Sequence, residues 1–81
     1  MKHMETAYKQ FDLRATAWES GGTFFSHVEV ARAGCDPRTA IGIDVPIGPA
    51  GIGGRSEALE VAIDFGKAVV DGRVPGVGAP D

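Results

Sequence analysis

At 81 residues, 43% of them hydrophobic and 23% charged, the chain has the composition of one ordinary globular domain and not of a disordered, collagenous or membrane-spanning one. A domain of this size buries only about 60% of the surface its unfolded chain exposes, so size alone raises the expectation of a partner or a second copy. The formal net charge of −3 offers no attraction for phosphate backbones and argues against nucleic acid as a partner.

The N-terminus, Met1 to Thr6, carries Lys2 without an apolar stretch behind it, and nowhere do eighteen apolar residues run together. Export and membrane insertion are therefore not expected. Met4 could serve as an alternative start, so residues 1–6 are read as a disordered N-terminus ahead of a single domain at 7–72.

From Tyr8 onward, Phe11, Leu13, Ala15 and Ala17 alternate with Gln10, Asp12, Arg14 and Thr16, the pattern of a half-buried strand. Glu19-Ser20-Gly21-Gly22 supplies a hairpin turn with two residues free to take positive φ. The second strand, Thr23 to Arg32, sets Phe24, Ser26, Val28 and Val30 against Phe25, His27, Glu29 and Ala31. Ala33 to Arg38 breaks the pattern with Gly, Asp and Pro. A third strand then sets Ile41, Ile43, Val45 and Ile47 against Ala40, Gly42, Asp44 and Pro46. Pro46 has no N–H to give to a ladder, which places this strand at a sheet edge and the second strand in the middle of a meander.

Gly48 to Arg55 is too rich in glycine for regular structure, and Ser56 before Glu57 reads as the N-cap of a helix over about 57–71. At 100° per residue, Ala58, Leu59, Ala62, Ile63, Phe65, Gly66, Val69 and Val70 share one side, and Glu60, Asp64, Lys67 and Asp71 the other. Gly66 costs about 1 kcal/mol of helix propensity on the apolar side, which points first to close approach of helix and sheet and second to a tight helix pair in a dimer. Gly72 suits the C′ position, and residues 73–81 read as a flexible Gly/Pro-rich tail. The expected class is α+β: a three-stranded antiparallel meander packed on one C-terminal helix, β-β-β-α.

Ser56, Glu57-Ala58, Gly66-Lys67 and Asp71-Gly72 give this helix a Ser cap, an Glu-Ala pair, a central Gly-Lys and an acidic residue before glycine. In these features, across about residues 8–72, the chain resembles a group of small uncharacterised bacterial proteins of β-β-β-α layout. That resemblance implies the fold and carries no activity. Gly51-Ile52-Gly53-Gly54-Arg55-Ser56 is also superficially similar to the helix-opening motif of double-stranded-RNA-binding domains. There, however, a lysine pair holds phosphate, and here Glu57 and Ala58 follow, with the glycine spacing one residue too long.

The loop residues Gly51, Gly53, Gly54, Arg55 and Ser56 form a candidate anion-binding site, because N–H groups and the dipole at a helix start favour negative charge. The loop departs from the phosphate-binding Gly-x4-Gly-Lys-Ser/Thr pattern, since Pro49 and Arg55 replace its first Gly and its Lys. Cys35, the single cysteine, excludes an intramolecular disulfide, fits a reducing, cytoplasmic setting, and would need His27 and Asp36 within reach to act as a nucleophile. No metal-ligand spacing is present, and no cofactor is implied. One helix covers one sheet face, which leaves Trp18, Phe25 and His27 as candidates for an interaction face. The sequence thus points to a non-catalytic protein-interaction module that uses the open face or an edge strand, with another protein or a second copy as partner. Its alternative is an anion- or nucleic-acid-binding module built on the Gly-rich loop.

Overall fold

The structure, a computed structural model, describes residues 3–78. It contains strands β1 (His3–Tyr8), β2 (Phe11–Ser20), β3 (Thr23–Arg32) and β4 (Ile41–Asp44), a short 3-10 turn at Pro37–Thr39, and helix α1 (Arg55–Val70). The strands form one antiparallel sheet in the order β1-β2-β3-β4, with α1 against one face, so the class is α+β. The sheet has four strands and not the expected three. The additional strand is β1: its residues 3–6 were assigned from sequence to a disordered N-terminus, and Tyr8, expected to open the first strand, instead ends β1 before a turn at Lys9-Gln10.

β1 eluded the sequence because an edge strand needs only a weakly apolar inner row. Met4, Thr6 and Tyr8 face α1 and are half-buried, while His3, Glu5 and Ala7 are exposed. The β1–β2 turn also lacks the usual turn residues. Lys9 takes φ 55° there, a conformation uncommon for a residue with a Cβ. Its side chain is held in return: the ammonium bonds the Asp71 carboxylate and lies 5.3 Å from the centre of the Tyr8 ring. By contrast, the β2–β3 turn falls where Gly21 and Gly22 predict it, both with positive φ, as a two-residue hairpin of the right twist requires.

The outer edge of β3 is closed along its length. β4 pairs with Val28 and Val30, Val45 donates its N–H to the Ser26 carbonyl (3.0 Å), and Ile52 exchanges both main-chain hydrogen bonds with Phe24 (2.7 and 2.9 Å). The Gly-rich loop is therefore anchored to the sheet, and Gly51 (φ 69°) makes the close turn beside Thr23 that this requires. In the alternation that turns Ile41, Ile43 and Val45 toward β3, Pro46 falls on the outward side, where no ladder bond is needed.

The helix begins two residues earlier than expected. Gly54 is its N-cap with no side-chain hydrogen bond, so Ser56 lies inside the first turn and is not the cap. Its C-terminus follows the expectation: Gly72 (φ 73°) and Arg73 donate to the carbonyls of Val69 (3.1 Å) and Ala68 (2.9 Å), the paired bonds of a Schellman motif. Leu59, Ala62, Ile63 and Val69 pack on Leu13, Ala15, Val28 and Val30, and Gly66 permits contact at very short range. Val74 and Val77, in the segment expected from sequence to be a flexible tail, pack at the margin of this core. Residues 1–2 and 79–81, also assigned to flexible termini, lie outside the described residues.

Candidate functional site

The sheet face opposite α1 is built by the strand residues that the core does not use. Cross-strand register places His3, Thr16, His27 and Asp44 in one row and Glu5, Arg14, Glu29 and Gly42 in the next. Ala7, Asp12 and Ala31 form a row toward the β1–β2 turn, and Trp18 and Phe25 form one toward the β2–β3 hairpin. The alternation of each strand dictates which side chains appear here, and the register decides which become neighbours.

Trp18 and Phe25, both chosen from sequence for an interaction face, stand opposite each other on β2 and β3. Their ring centres are 6.3 Å apart and their planes 28° from parallel, an offset stack. Trp18 remains 45% exposed, an uncommon state for so large an apolar side chain. His27, the third chosen residue, lies in the neighbouring row. Its Nδ1 is 2.9 Å from Asp44 Oδ1, and its ring passes over Gly42, where a Cβ would stand 2.8 Å from Nε2. Asp44 was not anticipated. Its outward position could be read from the third strand's alternation, but its placement opposite His27 depends on register.

At the other end of the face, Ala7 and Ala31 provide a low floor between taller neighbours. A shallow groove of about 670 Å³ opens there, lined by Glu5, Asp12, Arg14, Glu29, Arg32 and Cys35 among others. The Arg14 guanidinium lies 3.8 Å from the Glu5 carboxylate, while Asp12 and Glu29 have no ion-pair partner among the described residues. These acidic groups were not singled out from sequence either, because one charge on each of three strands forms no local motif.

The structure does not join Cys35 to His27. Cys35 sits in the turn after β3, its N–H bonded to the Arg32 carbonyl, and the stretch of β3 from His27 to Arg32 is about 16 Å long. Asp36 is occupied by Arg38, whose guanidinium bonds both its oxygens and holds its carboxyl below the usual range. Among the described residues no group of three or more His, Cys, Asp and Glu side chains is placed to hold a metal ion, and no helix is long and apolar enough to cross a membrane.

The Gly-rich loop uses its polar groups differently from an anion cradle. Gly51 donates to the Gly48 carbonyl and Ile52 to the Phe24 carbonyl, each at 2.9 Å. The Arg55 guanidinium lies over the Phe24 ring at 5.1 Å, beside the sheet. Gly53, Gly54 and Ser56 remain at the start of α1, where the first-turn N–H groups lack intrahelical acceptors. No family model, curated protein or solved structure matches this chain.

Proposed function

We propose that the protein is a non-catalytic interaction module whose uncovered sheet face docks another protein. One observation carries this reading: Trp18, 45% exposed, stacks on Phe25 on the face that α1 leaves bare. A tryptophan with a fixed orientation offers large contact area at low entropic cost, and such residues dominate binding energy at protein interfaces. The free thiol of Cys35 fits a cytoplasmic setting. The test is photocrosslinking in the producing cell, with a benzophenone amino acid at Trp18 or, as a control, at Glu60 on the outer side of α1. Discrete adducts from Trp18 alone support the reading. Identical adducts from both positions, or adducts from Glu60 alone, overturn it.

A second reading uses the edge of β1. Two-residue hairpin pairing at Tyr8 and Phe11 turns the main-chain groups of Met4, Thr6 and Tyr8 toward β2, leaving those of His3, Glu5 and Ala7 outward, with no covering strand among the described residues and no proline in β1. Such an edge can pair with a second copy. Sedimentation at rising concentration tests this with Glu5→Pro, which removes one outward N–H and leaves the β2 ladder intact. Loss of a wild-type dimer in that variant supports the reading, and a wild-type chain monomeric at every concentration overturns it. The alternative of anion or nucleic-acid binding at Gly51, Gly53, Gly54, Arg55 and Ser56 rests on the uncapped first turn of α1 alone.

A further inference from the structure

The charges of the uncovered face are unequal. It presents the carboxylates of Glu5, Asp12, Glu29 and Asp44 against the guanidinium of Arg14, with the imidazoles of His3 and His27 between them. Arg14 is balanced by Glu5, and Asp44 is engaged by His27. Asp12 and Glu29 are exposed carboxylates beside a groove deepened by Ala7 and Ala31. Arg32 also lines this groove, but its guanidinium lies over the Phe11 ring at 5.9 Å, so the carboxylates of Glu5, Asp12 and Glu29 still outnumber the cations there. At the opposite end, the faces of the Trp18 and Phe25 rings carry the negative side of an aromatic quadrupole, which attracts cations. Both ends of the face therefore favour the same ligand chemistry, and it is positive.

Resting on the docking face proposed above, we infer that its occupant is an extended, arginine-bearing segment of a partner protein that runs along β2 and β3. One guanidinium stacks on Trp18 and Phe25, and another enters the groove between Asp12 and Glu29. Arginine fits better than lysine because its planar head both stacks on rings and bonds carboxylates in pairs. Along β2, Asp12 and Trp18 are separated by about 20 Å, which an extended peptide spans in about six residues. Side chains of an extended segment return to the same side at every second position, so arginines at alternate positions reach both ends. A phosphate backbone would meet the same carboxylates with repulsion.

Trp18 is the single tryptophan, so its fluorescence reports directly on one end of the site. The experiment titrates the whole chain with an alternating Arg-Ser peptide of about ten residues, and with its Glu-Ser counterpart, at about 0.1 M salt. Amide ¹⁵N shifts are recorded in parallel. The expected result is a saturable fluorescence change with the Arg-Ser peptide alone, and amide shifts on β2 and β3. Affinity should fall about tenfold or more in the Asp12→Asn/Glu29→Gln variant, as expected for loss of about 1.4 kcal/mol. It should stay unchanged in Glu60→Gln/Asp64→Asn, which alters net charge equally on the outer side of α1. Equal losses in the two variants would reveal attraction by net charge alone and overturn the inference. So would binding of the Glu-Ser peptide, or absence of saturable binding. Trp18 crosslinks to a partner with no Arg-Ser binding would retain the docking face and reject its cationic occupant, whereas absence of both would reject both.

Discussion

Gly66 of α1 lies so close to Val28 of β3 that a Cβ on the glycine would stand 3.1 Å from the valine Cγ2, and 3.3 Å from Leu13 Cδ1. Val28 and Leu13 are fully buried, so they yield by tenths of an ångström and little more. Gly66→Ala gains about 1 kcal/mol of helix propensity and spends a similar amount on that contact, and urea denaturation should place it within about 1 kcal/mol of wild type. Gly66→Leu should destabilise by about 2–3 kcal/mol, and combining it with Leu13→Ala should cost less than the sum of the two single losses. Additive effects in the double variant would show that the helix lies further from the sheet.

Gly51 answers to a different constraint. Its φ of 69° disfavours a side chain, and an added Cβ would lie 2.5 Å from Thr23 Oγ1 and 3.1 Å from the Phe24 carbonyl oxygen. Thr23 can rotate, but the main chain of Phe24 is fixed by its bonds to Ile52. Gly51→Ala should therefore cost at least about 1–2 kcal/mol, the usual penalty of the left-handed conformation, and Thr23→Ala should relieve only part of it. Hydrogen exchange should locate the damage at the Phe24 and Ile52 amides. Full rescue by Thr23→Ala would contradict the backbone explanation.

Asp71 ties the end of α1 to the β1–β2 turn: Tyr8 donates its hydroxyl to one carboxylate oxygen (2.8 Å) and Lys9 its ammonium to the other. The Lys9 hydrogen bond foremost, with that of Tyr8, holds the Asp71 carboxyl below its ordinary range, and the same contact raises Lys9. A carboxyl lowered on folding stabilises the protein above its unfolded value, about pH 4, and loses that contribution as pH falls through the folded value. The raised ammonium contributes below its unfolded value, about pH 10.4, and loses that as pH rises through the folded value. Asp71→Asn should flatten the fall of the urea midpoint in both windows, with Asp36 leaving a residual acid dependence. Unchanged slopes would show that the clasp is absent in solution.

Gly42 sits beneath the His27 ring, where a Cβ would come within 2.8 Å of Nε2 and 3.0 Å of Cε1. The ring is partly exposed and free to swing, so Gly42→Ala should change stability by less than about 1 kcal/mol while displacing His27 from Asp44. The ¹⁵N shifts of the imidazole should then match those of Asp44→Ala, in which the Nδ1 contact is removed directly. Ring shifts identical to wild type would contradict the observed packing.

Much of the fold was legible in the residues themselves. Alternation at Leu13 and Ala15, and at Val28 and Val30, identified two strands and the buried side of the first; the second left its inward face ambiguous, because Phe25 and Ala31 oppose Val28 and Val30, and packing against α1 decided it. The apolar arc from Ala58 to Val69 identified the helix face, Gly21-Gly22 the hairpin, and Pro46 the free edge. Trp18, Phe25 and His27 could be assigned to the uncovered face because a single helix covers only one. β1 was not legible, since Met4, Thr6 and Tyr8 form too weak an apolar row and Lys9 is an atypical turn residue.

The sequence by itself determined which side of its own element each residue takes, because periodicity is a local property of strand and helix geometry. Tertiary structure alone decided which residues meet. Asp44 reaches His27 across 17 positions, Lys9 reaches Asp71 across 62, and Ile52 closes the edge at Phe24. The acidic groove collects Glu5, Asp12 and Glu29 from three strands in the same way. These encounters follow from strand register and from the depth at which α1 settles on the sheet, and both are fixed by packing of the whole core at once.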